Sequence, residues 1–484
     1  MEKTMQFFLH KALTGLVGVA FISILFSGYS SVKAAYEGHA VIPTIIGIAL
    51  LTILLTLLAI RLPKAVFLSL LILLAFGLRL EWLLNIQATN ISDFKIMYDS
   101  AIRAAKGDFT FTGEGLYFAR WGYQLGYTMY QALIIYLFGD GELAIKIINA
   151  IFSAGTVLFV YLIGKTLFNE MSGRIAGILY ALFIPSIVLS SVLTNQHPAT
   201  FLFYLAFYLA ICYFELNKYM WIIIGLLLAL GDILRPLGSV ILLAFGLYVL
   251  ITFIIGGINN RSRIFSAGKF AGILAVFYLV HALANVMLLS AGSEYPLGNR
   301  EPLWKFVTGL NHETIGVFSD KDKAYLAQFD VGKERDEASM ELIMERTADK
   351  PQLLELFKKK FVYMWTEKDS SLIWGLRGTG YLDLLKTLTM VERYIYLSMI
   401  FFIVIAVIKI LFEKKLNLHL SLFLLLVSGF ISVHFLIELQ TRYRYFIIPS
   451  FVILQSYGVF TIIQLFGSLL REKGILNIGS KMNK

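Results

Sequence analysis

The chain has 484 residues, 58% of them hydrophobic and only 15% charged, with a formal net charge of +10. Soluble domains average about 25% charged residues, and the apolar residues here fall in blocks of about 20, the length that crosses a hydrocarbon core, so a soluble enzyme is excluded. In such a chain an excess of Lys and Arg marks cytoplasmic loops rather than nucleic-acid binding.

The first apolar block, near 12–30 in "KALTGLVGVAFISILFSGYSSVKAA", reads as a retained first helix, because polytopic proteins usually keep that helix as an anchor. The alternative is a signal peptide cleaved after Val32 and Ala34. Further blocks lie near 41–60, 65–86, 143–163, 175–194, 198–214, 219–233, 237–257, 270–290, 393–412, 418–437 and 445–467, which makes about twelve spans. Repeated blocks of this length predict helices rather than the period-two strands of an outer-membrane barrel. Cys212 lies inside one of them and is the single cysteine, so no intrachain disulfide forms. With the N-terminus inside, every inner loop is basic: Arg61 and Lys64; Lys165 and Arg174; Lys218; Arg261, Arg263 and Lys269; Lys409, Lys414 and Lys415. The tail adds Arg471, Lys473, Lys481 and Lys484. The charge rule therefore places both termini in the cytoplasm.

Two connections then lie outside and are too long to be simple loops. The first, 87–142, opens with "SDFKIMYDSAIRAAKGDF", where Ser92 and Asp93 are good helix N-cap types and Ile96, Ala101, Ala104 and Ala105 form an apolar stripe. Asp140, in "GDG", reads as a turn residue. The second, 291–392, contains "EASMELIMERTADKPQLLELFKKKFVYMW", which predicts two amphipathic helices broken at Pro351 and a small folded cap. The expected division is two N-terminal helices (1–64), a catalytic membrane core with the first outer loop (65–290), the cap (291–392), and C-terminal helices with a basic tail (393–484).

Candidate chemistry gathers at the outer rim. Asp93 stands where the third span ends; enclosure there raises a carboxyl pKa and makes a better base, and the plain alternative is a helix cap. Arg235 in "GDILRPLGS", Arg442 and Arg444 in "ELQTRYRYFIIPS", and Arg79 near the outer end of the third span run against the inside bias for cations. Guanidinium forks match phosphate oxygens. The structural alternatives are a Glu438–Arg442 pair at four-residue spacing and a snorkelling Arg79. Asp99 and Asp108 read as solvated loop residues. His281 and His434 read as helix-packing histidines. His197, beside Pro198, lines a site or simply turns the chain. Asn311, in "GLNHETIGVF", faces acceptor or sugar, or belongs to a structured turn. The chain lacks GxxxxGK[ST], GxSxG and HExxH motifs.

The order of these pieces resembles a known pattern. "LRL" is followed by "SDF", Tyr98 and "SAIRAAKGDF", then by "LFGDGELAIKIINAIFSAGTVLFVYLIGKTLFNEMSGRIAGILYALFIPSIVLSSVLTNQHPATFLFYLAFYLAI", "LLLALGDILRPLGSVILL" and "ELQTRYRYFIIPSF". Over roughly 66–290 and 393–465 this is similar to the GT-C superfamily of polytopic glycosyltransferases, family 39 in particular, which includes protein O-mannosyltransferases and aminoarabinose-transferase-like enzymes. The resemblance implies an all-α, GT-C-like membrane protein. It implies inverting transfer of a sugar from a polyprenyl phosphate in the outer leaflet of a bacterial plasma membrane to a hydroxyl of a lipid, glycan or protein. Asp93 would be the catalytic base or would help to organise the acceptor. Arg235 and Arg442 would hold the phosphate, with Lys95, Arg79 and Arg444 as further candidates, and Tyr98, Tyr443, Glu438, His197 and Asn311 would line donor or acceptor. A divalent Mg or Mn is the candidate cofactor, with no ligands assigned. The chain departs from the family in having Phe94 where many relatives carry a second acid, "RWGYQLGYTMY" in place of a His-Pro-Pro-like segment, and "TNQHPA" where an acid often stands. An envelope polysaccharide polymerase or ligase is the runner-up. A lipid-linked-sugar flippase or other transporter is less favoured, because no internal repeat is visible.

Overall fold

The computed structural model describes residues 2–37, 40–139, 141–257 and 259–472. Asp140 and the tail lysines Lys473, Lys481 and Lys484 lie outside them, and the side chain of Arg471 is not described either. Among the described residues every regular element is helical. Three long helices come first: α1 (Glu2–Ala35), α2 (Val41–Ile60) and α3 (Lys64–Asn85). The first long connection carries α4 (Ser92–Ala104), α5 (Tyr117–Arg120) and α6 (Leu125–Phe138). Then follow α7 (Glu142–Leu167), α8 (Glu170–Ala181), α9 (Ile184–Val188), α10 (Gln196–Tyr213), α11 (Met220–Leu234), α12 (Gly238–Val249) with a π-helical extension over Leu250–Ile254, and α13 (Asn260–Ser290). The second connection holds α14 (Trp304–Gly309), α15 (Asp320–Leu326), α16 (Lys333–Ala348), α17 (Lys350–Thr366) and α18 (Ser371–Gly375). The chain finishes with α19 (Leu382–Phe412), α20 (Leu420–Leu436), a 3-10 turn (Thr441–Phe446) and α21 (Ile448–Glu472).

Each of the twelve apolar blocks lies on a helix or a broken helix pair. Among the described residues seven helices are long and apolar enough by themselves to cross a membrane, and an eighth span results if α8 and the bent segment Ile184–Ser191 are taken together, with 50° between them. Met220–Leu234, Gly238–Ile254 and Leu420–Leu436 are shorter apolar helices. The blocks looked uniform because hydropathy records burial in lipid and burial in protein alike. Helix α21 is mostly enclosed by the bundle, and Phe451, Val452 and Leu454 on it are wholly buried. Helix α1 belongs to the bundle: Val17, Phe21 and Ile24 join the main core, and the Cβ of a residue at Gly18 would meet Val407 of α19.

The two long connections form one structure at one end of the bundle. Arg120 grips Glu301 in a fork, Nε and Nη2 donating to the two carboxylate oxygens at 2.8 and 2.7 Å, and Arg335 donates to the same carboxylate. Backbone bonds join Tyr123 N to Gly298 O at 2.9 Å and Arg300 N to Arg120 O at 3.1 Å. A residue larger than glycine at 122 would push its Cβ to 2.6 Å from Pro296 O. The cap helices break where Pro351 predicts: α16 ends at Ala348, and the Asp349 side chain accepts from Gln352 N to start α17. Helix α19 begins at Leu382, eleven residues before the expected span, because its first turns stand clear of the apolar block.

Candidate active site

The stretch that opens the first connection folds differently from its cap-like appearance. Ser92 takes the left-handed φ of +53°, a conformation that costs a non-glycine residue on the order of 1 kcal/mol. Ile91 occupies the N-cap position of α4, and no side chain caps the helix. Neither Ser92 nor Asp93 therefore caps. The buried face of α4 is Phe94, Met97, Ser100 and Ala101, whereas Ile96 is exposed. Phe94 meets Trp374 of α18 edge-on at 5.3 Å. With the helix rolled this way, the Asp93 carboxyl turns inward, where the Tyr117 hydroxyl hydrogen-bonds it.

Burial is the largest influence on Asp93 and pushes its pKa above the usual carboxylate range, against the opposing pull of Arg442, Tyr117 and Lys305. Burial and the neighbouring carboxylate push the Tyr117 phenol up, so it stays protonated and donates. Facing this pair is the segment before α21. Arg442 packs its guanidinium over Trp374 at 4.6 Å and Phe94 at 5.1 Å, and its Nε donates to Gln440 Oε1 at 2.7 Å. Such ring contacts are worth about 0.5–2 kcal/mol each and hold the cation in place. Among the described residues its Nη groups make no hydrogen bond and it forms no ion pair. Gln440 in turn donates to Glu438 at 3.0 Å. Glu438 does not pair with Arg442 as four-residue spacing suggested, because 441–446 is a 3-10 turn and not the continuation of a helix. Its partner is Lys305 at 2.8 Å, which also reaches the Tyr443 hydroxyl at 3.3 Å. Burial works to raise Glu438, but the Lys305 charge and hydrogen bond outweigh it and hold the carboxyl low. Burial works to lower Lys305, and Tyr443 and Glu438 overcome it. Both are ionised.

Arg235 completes the set. It lies over the Tyr443 ring at 5.4 Å, donates through Nη1 to Asn195 Oδ1 at 2.9 Å, and leaves its buried Nε without a partner. Three cations (Arg235, Lys305, Arg442) and two carboxyls (Asp93, Glu438) thus share one end of the bundle, an excess of one positive charge when both acids are ionised. The arrangement suits an anion beside a base.

Other candidates lie elsewhere. Lys95 is exposed and pairs with Asp99 at 2.9 Å on the outer face of α4. Arg79 does not snorkel: it is wholly buried and donates to Ser153 Oγ, Ser186 Oγ, Ala75 O and Ala181 O. Arg444 points to the far side of its turn, toward Asp369 at 3.6 Å and the Tyr396 ring. Tyr98 packs against the Ile134–Ile145–Leu193 cluster. His197 is buried, with Nδ1 2.7 Å from the Tyr445 hydroxyl. Asn311 ties the cap together, donating to Asp322 and accepting from the amides of Glu313 and Thr314. His281 bonds Asp232 at 3.1 Å and His434 bonds Phe430 O. Lys305 and Tyr117 were missed: nothing in "EPLWKF" or "LYFAR" marks them, and a contact across 133 residues leaves no local pattern. Among the described residues no group of three or more His, Cys, Asp or Glu side chains is placed to hold a metal ion. The donor set fits a divalent cation poorly, since Glu438 is committed to Lys305 and Asp93 stands as a lone carboxyl.

Residues 125–283 match the family model of dolichyl-phosphate-mannose-protein mannosyltransferases. The chain is similar to family 39 of the GT-C glycosyltransferases. That segment supplies α6 to α13, including Asn195 and Arg235, and excludes Asp93, Lys305 and Arg442. No curated protein matches the chain. Solved structures similar to it include the apo oligosaccharyltransferase of Archaeoglobus fulgidus (14% identity, 86% of this chain and 53% of that one, TM-score 0.49). Another is the same organism's enzyme in complex with an inhibitory peptide and a dolichol-phosphate (15% identity, 86% and 52%, TM-score 0.49). The chain spans about half the length of these proteins.

Proposed function

We propose that the protein is an inverting glycosyltransferase that moves a sugar from a polyprenyl-phosphate donor to an acceptor hydroxyl on the extracytoplasmic side of a bacterial plasma membrane. The observation that carries this reading is the inward-turned, uncapped carboxyl of Asp93 facing Arg442 and Lys305. In the reaction Asp93 accepts the proton of the acceptor hydroxyl. The hydroxyl oxygen bonds to the anomeric carbon from the face opposite the phosphate, the bond from that carbon to the phosphate oxygen breaks, and polyprenyl phosphate leaves with the bonding electrons. A raised pKa suits the base. Tyr117 orients it. Arg442, Lys305 and Arg235 meet the charge that grows on the departing phosphate, the kind of preorganised donors that contribute several kcal/mol in a partly dry site. No step of this scheme needs a metal.

The extracytoplasmic placement rests on the opposite end of the bundle. There Lys11, Arg174 and Lys269 cluster with the short loops, the side that the charge rule assigns to the cytoplasm. The test supplies radiolabelled polyprenyl-phosphate sugars to membranes carrying the protein and follows label into acceptor. The wild type should transfer label and Asp93→Asn should not, at equal expression. Equal transfer by both would overturn the assignment. Labelling of a cysteine placed at exposed Lys95, from outside intact cells, checks the side of the membrane.

A further inference from the structure

Helix α10 begins in "TNQHPA", and three successive side chains there bond to the two segments that carry Arg235 and Arg442. Asn195 bonds twice to the end of α11: its Oδ1 accepts from Arg235 Nη1 at 2.9 Å, and its Nδ2 donates to Leu234 O at 2.9 Å. Gln196 Nε2 donates to Arg442 O at 2.9 Å. His197 Nδ1 hydrogen-bonds the Tyr445 hydroxyl at 2.7 Å. Asn195, Gln196 and His197 are all buried, at 7, 2 and 0% exposure, so these bonds are made away from water and fix geometry rather than decorate a surface. The start of α10 thereby joins two segments, one ending α11 and one preceding α21, that also meet where Arg235 lies over the Tyr443 ring. The joined segments carry Arg235 and Arg442. The clasp leaves hydrogen-bonding capacity unused: Arg235 Nε and Gln196 Oε1 are buried without partners.

We propose that Asn195 and Gln196 are positioning residues that set the separation of Arg235 and Arg442, so that both guanidinium groups close on one phosphate. This rests on the glycosyltransferase reading above. The chemistry of position 195 matters as much as its reach. A neutral amide accepts from Arg235 without cancelling its charge, so the site keeps its one-charge excess for an anionic ligand. A carboxylate there would hold the arginine at least as firmly while removing the attraction for phosphate.

The test measures binding of a short-chain polyprenyl phosphate to the purified full-length protein in detergent, alongside thermal unfolding. Asn195→Asp keeps the acceptor for Arg235 but sets an oxygen against Leu234 O, so it should unfold at a somewhat lower temperature and bind at least tenfold more weakly per folded molecule. A purely structural role predicts the lower unfolding temperature with unchanged binding by the molecules that remain folded. Asn195→Leu should also weaken binding at least tenfold, but should add little when built into Arg235→Ala, because the two changes remove one interaction. Additive losses in the double variant, or wild-type binding by Asn195→Asp, would overturn the proposal. If Arg235→Ala itself binds normally, the phosphate-grip reading fails first. If Arg235→Ala binds weakly and both Asn195 variants bind normally, only the clasp fails. Gln196→Leu gives an independent arm: weaker binding at an unchanged unfolding temperature is expected, and unchanged binding removes Gln196 from the clasp.

Discussion

The two ends of the bundle use cations in opposite ways. At the end with short loops, the ammonium and guanidinium groups are consumed by backbone carbonyls at helix ends. Lys11 donates to Ile410 O, Leu411 O and Glu413 O as α19 finishes. Lys269 donates to Phe214 O and Asn217 O after α10, and Arg174 to Ala59 O and Leu62 O after α2. Each cation meets the negative end of a helix dipole and carbonyls that lack helical partners. At the other end, Arg235 and Arg442 are held by rings and amides and keep donors unused. Charge at the first end finishes helices; at the second, Lys360 does the same at Gly309 O and Ile437 O, whereas Arg235 and Arg442 keep donors free.

Substitutions at the second end should damage chemistry far more than folding. Asp93→Asn should lower transfer by at least about 100-fold, the usual scale for a general base, with the unfolding temperature within about 2 °C of wild type. A large drop in that temperature would make Asp93 structural. Arg442→Ala should weaken donor use by about 10- to 100-fold, the range for a lost charge-assisted hydrogen bond, seen in kcat/KM. A loss confined to thermal stability would erase the distinction between the ends. At the first end the order reverses. Lys269→Met should leave turnover per folded molecule unchanged and lower the unfolding temperature by a few degrees, since a lost helix-end interaction costs about 1 kcal/mol. Lost turnover there would show that this end also serves catalysis.

Acidity sharpens the same contrast. The Asp93 pKa is raised in the fold, so the acid limb of kcat/KM should lie above the ordinary carboxylate value of about 4. A carboxyl raised on folding disfavours the native state when ionised, so protonating it on acidification costs no stability. Glu438 has the opposite sign. Its pKa is lowered, so the stability it contributes is present above its unfolded value and is lost only as pH falls through the lower folded one. Activity should therefore fade before the fold does. Coincident loss of turnover and of native structure in an acid titration would contradict both assignments.

Much of the architecture could be read from the amino acids because hydropathy and charge act locally along the chain. All twelve apolar blocks became helical segments, and Pro351 marked the cap's break. The approach of Asp93, Arg235 and Arg442 to one another was readable only through the family pattern, since three separate connections supply them. The roll of α4 was not readable: Phe94, Met97 and Ala101 form as good a stripe as the one through Ile96, and packing against Trp374 and the cluster of Phe111, Phe118 and Leu125 decides between them. Arg79 and Arg444 carried the same signal as Arg235, an arginine at an outer rim. Their different fates depend on Ser153, Ser186 and Asp369, none of which is adjacent in sequence.

The fork of Arg120 and Arg335 on Glu301 has a mechanical consequence. Hinging the roof away from the first connection would break both Arg120 bonds to Glu301 and the backbone bonds of Tyr123 and Arg300, while Arg335, in the roof itself, would keep its grip on the carboxylate. Those bonds together pin the roof to the first connection.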